Sequence, residues 1–189
     1  MKTKYILHGG AAQHPNKEND KFFEEILKGA PANPRILLVH FASDPEKQNK
    51  NIEKDTAQFE RVRGDRNITY IEAQEELFSQ QALDVDVIYF GGGTTVRLLD
   101  TMKKFNDLEK LFEGKTVAGE SAGMNFLSAY CYSKSGGGVI KCLGIVPFKT
   151  IPHYSDEFRE AKEELEKIPG DFKTLALSEY EYTVYGSDQ

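Results

Sequence analysis

Lys115-Thr116-Val117-Ala118-Gly119-Glu120-Ser121-Ala122-Gly123 is a β-prone run ending in G-x-S-x-G, and helix-prone sequence with Met124, Phe126, Leu127 and Ala129 follows it. A strand that turns sharply into a helix at a serine is the nucleophile-elbow pattern. Glycines suit both flanks, because a side chain there would crowd the turn. The N–H of Ala122, at the helix start, would face an incoming carbonyl oxygen. The stretch therefore predicts an α/β fold with a nucleophile, Ser121, and half of an oxyanion hole. Five residues alone recur by chance; the position between strand and helix gives them weight.

Apolar runs bounded by glycine, proline or charge mark further strands at Tyr5–Leu7, Arg35–Phe41, Ile68–Ile71, Val85–Phe90, Thr116–Ala118, Thr150–Ile151 and Leu175–Leu177. Helical spacing links Phe22, Phe23, Ile26 and Leu27, then Ile52, Phe59 and Val62, then Leu108, Leu111 and Phe112. Ser155 to Ile168 carries Phe158, Ala161, Leu165 and Ile168 on one stripe. Strands alternating with helices predict three layers, a mainly parallel sheet with helices on both faces. Residues 1–189 read as a single domain, without repeat, low-complexity tract or linker. Such sheets bind ligands beyond the carboxyl ends of their strands. The elbow, Gly91-Gly92-Gly93 and the loop after His40 all fall there. Ser133-Lys134-Ser135-Gly136-Gly137-Gly138 reads as a hairpin or a loop, near the site or plainly on the surface.

The 24 basic and 30 acidic side chains give a net charge of −6 and are interspersed. No basic stripe forms, which argues against a nucleic-acid partner. Cys131 and Cys142 form no C-x-x-C and lack a histidine-rich neighbourhood. They read as reduced thiols of a cytoplasmic protein, with neither metal nor disulfide expected. The apolar run near the N-terminus is too short for a signal peptide, and no segment has membrane-spanning length. No cofactor is expected, and a homodimer is left open.

A serine hydroxyl needs a base to take its proton. His8 and His40 close apolar strand runs, His14 sits in a polar loop, and His153 follows Ile151-Pro152 at a strand end. His153, stiffened by Pro152, is a candidate base beside His8 and His40. The base needs an anionic partner, for which Asp156, Glu157 and Glu179 are candidates. Gly91-Gly92-Gly93, directly after Val85–Phe90, lets the backbone present N–H groups outward and could complete the oxyanion hole. Removing one such donor typically costs ~10²–10³ in rate. Neither G-x-G-x-x-G nor a Walker pattern fits there.

Together these blocks resemble the peptidase E family of aspartyl dipeptidases, whose fold is like that of class I glutamine amidotransferases. Val87–Thr95 with Leu98-Leu99 is similar to the family's glycine block, Gly119–Asn125 to its nucleophile block, Ile151-Pro152-His153-Tyr154 to its histidine block, and Leu177-Ser178-Glu179 to the block carrying its acid. The resemblance implies a triad of Ser121, His153 and Glu179, with oxyanion donors from Gly92 and Ala122. The order Ser–His–acid differs from the Ser–acid–His of α/β-hydrolases. It also implies hydrolysis of short peptides with an N-terminal aspartate, recognised by an arginine beyond the histidine block; Arg159 stands in the comparable place. Gly93, Thr94 and Glu120 are the other positions expected to meet substrate. Thr94 replaces a frequent asparagine, Glu120 stands where a neutral residue is common, and the segment after His153 is short. The chain ends at Gln189, soon after the acid block, so that a terminal strand or two of the family is expected to be absent. Adjacent to the nucleophile, Glu120 could pair with a substrate's free amino terminus. An amidohydrolase or esterase, or a catalytically weak binding module, are the alternative readings.

Overall fold

The computed structural model describes residues 2–186. Strands β1 (Lys4–His8), β2 (Arg35–Val39), β3 (Thr69–Glu72), β4 (Val87–Phe90) and β5 (Thr116–Glu120) pair in parallel, and β6 (Tyr130–Ser133), β7 (Gly138–Lys141), β8 (Phe148–Ile151), β9 (Lys173–Ala176) and β10 (Tyr182–Tyr185) follow. The six-stranded sheet has the order β10-β1-β5-β4-β2-β3, with β10 antiparallel at its edge. A four-stranded sheet, β7-β6-β8-β9, stands apart from it.

Alternation along the central strands separates two cores. Ile6, Ile36, Leu38, Val87, Tyr89 and Ala118 point to one face, against Phe22, Phe23 and Ile26 of α1 (Lys17–Leu27) and Phe59 of α2 (Pro45–Val62). Leu7, Leu37, Val39, Ile88, Phe90 and Val117 point to the other. There they meet α3 (Phe78–Leu83), α4 (Thr95–Met102), α5 (Leu108–Phe112) and α6 (Ala122–Leu127). The three layers are those expected from the strand–helix alternation. The Asn16 side chain caps α1 by accepting from the Asn19 N–H at 2.8 Å. Pro45 opens α2, where its missing N–H costs nothing.

Every strand expected from the sequence exists, but Thr150–Ile151 and Leu175–Leu177 belong to the smaller sheet, as β8 and β9. The polar run Ser133–Gly138 is the turn of the β6–β7 hairpin. Helix α7 (Arg159–Glu166), preceded by a 3₁₀ turn at Asp156–Phe158, packs on this sheet through Ala161 and Leu165. Free Cys131 and Cys142 meet inside it, their sulfurs 3.3 Å apart. No helix among the described residues is long and apolar enough to cross a membrane.

Candidate active site

The carboxyl ends of β1, β4 and β5 converge with the loops after β8 and β9. Ser121 stands between β5 and α6 with φ 51° and ψ −103°, a conformation that a side chain adopts only under strain. The glycines around it are required by contact. A Cβ on Gly119 would lie 2.8 Å from the Met124 nitrogen, and one on Gly123 would lie 2.9 Å from the Phe90 Cβ. The G-x-S-x-G spacing thus reflects the close approach of strand, helix and the neighbouring β4. Ala122 begins α6, so its N–H has no partner within the helix.

The Nε2 of His153 is 3.0 Å from the Ser121 Oγ, and its Nδ1 is 3.1 Å from the Glu179 Oε1. His153 and Glu179 come from the loops that end β8 and β9, neighbours in the smaller sheet. Both side chains are open to solvent, at 42% and 50% exposure. Strain gathers around them. Of the five non-glycine residues with positive φ among those described, Ala11, Ser121, His153 and Tyr180 border this cluster, and only Asp107 lies elsewhere. Observed strain of this kind collects at functional sites.

The other candidate bases and acids have different partners. His8 is buried; its Nε2 is 3.0 Å from the Asn19 Oδ1, and its Nδ1 accepts from the Gly10 N–H at 3.1 Å. Burial lowers its pKa to about 4, against the opposing Asn19 hydrogen bond. His40 is also buried, lowered to about 4 by desolvation, with its Nε2 3.3 Å from the Asp55 Oδ2. Asp156 pairs with Arg159 at 3.0 Å, and Glu157 lies 3.9 Å from Lys134. Arg159 is exposed, with Asp156 as its ion-pair partner. His14 sits in the exposed loop ahead of α1.

Glu120 turns inward and is only 7% exposed. Burial raises its pKa, opposed by the His153 ring and by the backbone amides of Ala12, Gly92 and Ala11 that face the carboxylate. Gly92 packs so tightly on it that a Cβ there would fall 3.0 Å from the Glu120 Cδ. Gly93 has φ +145°, and a Cβ on it would lie 2.6 Å from the Ala42 carbonyl carbon. Thr94 precedes α4 and donates its N–H to the Ala42 carbonyl at 2.9 Å. It borders an open cavity of about 550 Å³ shared with Arg97, Thr101, Ser135 and Gly136, so the β6–β7 turn does reach this side of the molecule. A larger groove of about 650 Å³ beside Met102, Phe105 and Leu143 includes none of the site residues.

Sequence reasoning missed the layer beneath. Asp55 of α2 is fully buried and accepts from the Gln13 Nε2 at 3.1 Å and the Tyr89 hydroxyl at 3.2 Å. Desolvation raises its pKa well above the ordinary carboxylate value, and nearby Glu120 adds to the rise. The available signal was positional: Asp55 falls between Ile52 and Phe59 on the stripe of α2 that faces the core. No cluster of three or more histidine, cysteine, aspartate or glutamate side chains suited to a metal occurs among the described residues.

The model of peptidase family S51 matches residues 5–181. This chain belongs to peptidase family S51. Among curated family relatives, Peptidase E of Shewanella amazonensis is 32% identical over 100 residues, 48% of this chain and 43% of that protein. Peptidase E of Shewanella sp. strain W3-18-1 is 35% identical over 86 residues, 41% of this chain and 36% of that protein. The matched stretch thus spans less than half the length of these curated relatives. Two solved structures share the S51-like fold. A candidate peptidase E from Listeria monocytogenes EGD-e superimposes with a TM-score of 0.70 at 19% identity, covering 100% of this chain and 96% of its own. A peptidase from an acI-B1 Actinobacterium gives 0.73 at 22% identity, covering 98% and 84%.

Proposed function

We propose that this chain is a serine peptidase in which Ser121, His153 and Glu179 act as a triad. The observation that carries the reading is the pair of contacts on one imidazole, 3.0 Å to the Ser121 Oγ and 3.1 Å to the Glu179 Oε1. With Nδ1–H donating to Glu179, the lone pair of Nε2 faces the hydroxyl that must lose its proton. Ser121 Oγ attacks the scissile carbonyl as Nε2 takes the proton. The same proton then passes to the leaving amine, and the acyl-enzyme is released by water activated at Nε2. The Ala122 N–H, free at the helix start, holds the oxyanion; because the Gly92 amide faces the Glu120 carboxylate, the second donor comes from the neighbouring Gly93 rather than from Gly92 itself.

The substrate is a short peptide with an N-terminal aspartate. Supporting this are the matched family and Arg159, the first cation beyond the histidine block. Arg159 must leave Asp156 to engage a substrate carboxylate, a small cost for so exposed a pair. The net charge of −6 disfavours nucleic acid, and two free thiols fit a cytoplasmic setting.

A panel of Asp-X, isoAsp-X and Glu-X dipeptides and p-nitrophenyl esters, run on wild type and Ser121→Ala, tests the reading. Ser121→Ala keeps the fold, loses fluorophosphonate labelling and lowers kcat by several orders of magnitude. Retention of more than about a tenth of the activity removes Ser121 from the mechanism. Turnover of esters but of no dipeptide would make the chain an esterase. Arg159→Met raises KM for Asp-X and leaves the esters unaffected; equal effects on both remove Arg159 from recognition.

A further inference from the structure

The segment from His8 to Ala12 meets all three loops that carry the proposed triad. The His8 carbonyl accepts the Ser121 N–H at 3.0 Å, and the Gly9 carbonyl accepts the His153 N–H at 2.7 Å. The Gly10 carbonyl accepts the Tyr180 N–H at 3.1 Å, one residue beyond Glu179, and the Gly9 N–H donates to the Glu181 carbonyl at 2.8 Å. The His153 ring rests directly on Gly10, where a Cβ would lie 2.5 Å from Nε2. Nucleophile, base and acid come from three separate loops, and this one segment joins them.

Such a hub works only if it is itself held. Gly10 and Ala11 have φ of 129° and 61°, and the Gly10 N–H is taken up by His8 Nδ1, leaving the amides of Ala11 and Ala12 for an anion. The anion present is Glu120, whose carboxylate is faced by the amides of Ala11 and Ala12 from this turn and of Gly92 from the glycine block. Beneath lie His40 and Asp55, 3.3 Å apart. Burial pushes the pKa of Asp55 up and that of His40 down, disfavouring the charged form of each. Glu120 is the acceptor on which the amides of the turn and of the glycine block converge, packed directly against Gly92.

We infer that Glu120 is a positioning residue, whose carboxylate ties the Gly10–Ala12 turn to the glycine block and so holds His153 in line with Ser121. It acts through the turn and touches no reacting atom. That use of the carboxylate replaces the pairing with a substrate ammonium expected from adjacency alone. The kinetic side of this inference rests on the catalytic reading of Ser121 and His153; the tie between the loops does not.

Glu120→Gln tests it with two readouts. Glutamine keeps the volume against Gly92 but presents one acceptor and an NH₂ donor to three amides. Amide hydrogen exchange followed by NMR is expected to quicken at Ala11 and Ala12 while the rest of β1 stays protected. A misplaced imidazole lowers kcat by about 10–100-fold with little change in KM, equally for free-amine dipeptides and N-blocked esters. Glu120→Asp, which keeps the charge on a shorter arm, recovers part of the kcat, and also serves as the readout if the glutamine variant misfolds. Unchanged exchange at Ala11 and Ala12 overturns the tie. A loss confined to the KM of free-amine substrates overturns it equally, assigning Glu120 to the substrate. If Ser121→Ala had already shown no effect on turnover, accelerated exchange alone would still support the tie, so the two failures are distinguishable.

Discussion

Replacing Gly10 by alanine should disable the site without dismantling the fold. An added Cβ would sit 2.5 Å from Nε2 and 2.6 Å from Nδ1 of His153, whereas an ordinary contact between such atoms is about 3.5 Å. The ring must therefore retreat by about 1 Å. The contact with Ser121, now 3.0 Å, would stretch beyond the ~3.5 Å at which a hydrogen bond is lost. Misplacement of that size costs about 10²-fold in kcat, or ~2.7 kcal/mol of transition-state stabilisation. Alanine at φ +129° also adds about 1–3 kcal/mol of backbone strain, each kcal/mol lowering Tm by ~2–4 °C in a chain of this size. Steady-state ester hydrolysis, the rate of fluorophosphonate labelling and thermal unfolding measure these together. The expected result is a modest fall in Tm with both rates down by about two orders of magnitude. A folded variant whose kcat stays within threefold of wild type would refute the argument, since the imidazole would then not depend on Gly10 for its place.

Two further outcomes are expected. Glu179→Gln still accepts from Nδ1–H but no longer balances an imidazolium; because Glu179 is half exposed and solvent screens its charge, kcat/KM should fall by about 10–10²-fold, less than the ~10⁴ lost with a buried triad acid. An unaltered kcat/KM would remove Glu179 from the triad. Stability should decline as pH falls, because the pKa of His8 is lowered from 6.5 to about 4 in the folded chain. The unfolded state then binds the extra proton, so this contribution is complete above about pH 6.5 and drains away toward pH 4, by up to ~3 kcal/mol. Urea denaturation at pH 7, 5.5 and 4.5 checks it, and His8→Gln should flatten that limb; parallel pH slopes for the two proteins would refute the assignment.

Much of the site was legible because its parts are local. The elbow follows from sterics within a few residues: Gly119 and Gly123 are there because Met124 and Phe90 leave no room for a Cβ. His153 and Glu179 could be named because strand ends are marked by where apolar runs stop. Pro152 and the family resemblance favoured His153 over His8 and His40, although all three close apolar runs. Burial gives the physical separation, since His8 and His40 are buried where α1 and α2 pack over β1 and β2. Arg159 and Asp156 share one turn of sequence, so their pairing needed no tertiary information, yet it drew no notice beside the family role implied for Arg159.

The order of elements, the two-sided sheet and the strained serine were determined by the chain itself, through apolar alternation and the absence of side chains at chosen glycines. Tertiary structure alone decided that β8 and β9 form a second sheet, which aims their loops at β5 from outside the main one. It also decided that Glu120 turns inward and that Asp55 lies beneath it. Those outcomes depend on which loops meet, and meeting is a property of chain segments that lie 32 to 109 residues apart in sequence: His153–Ser121 at 32, Asp55–Tyr89 at 34 and Ala11–Glu120 at 109. No local pattern encodes the partner across such a gap; the packing of two hydrophobic cores does.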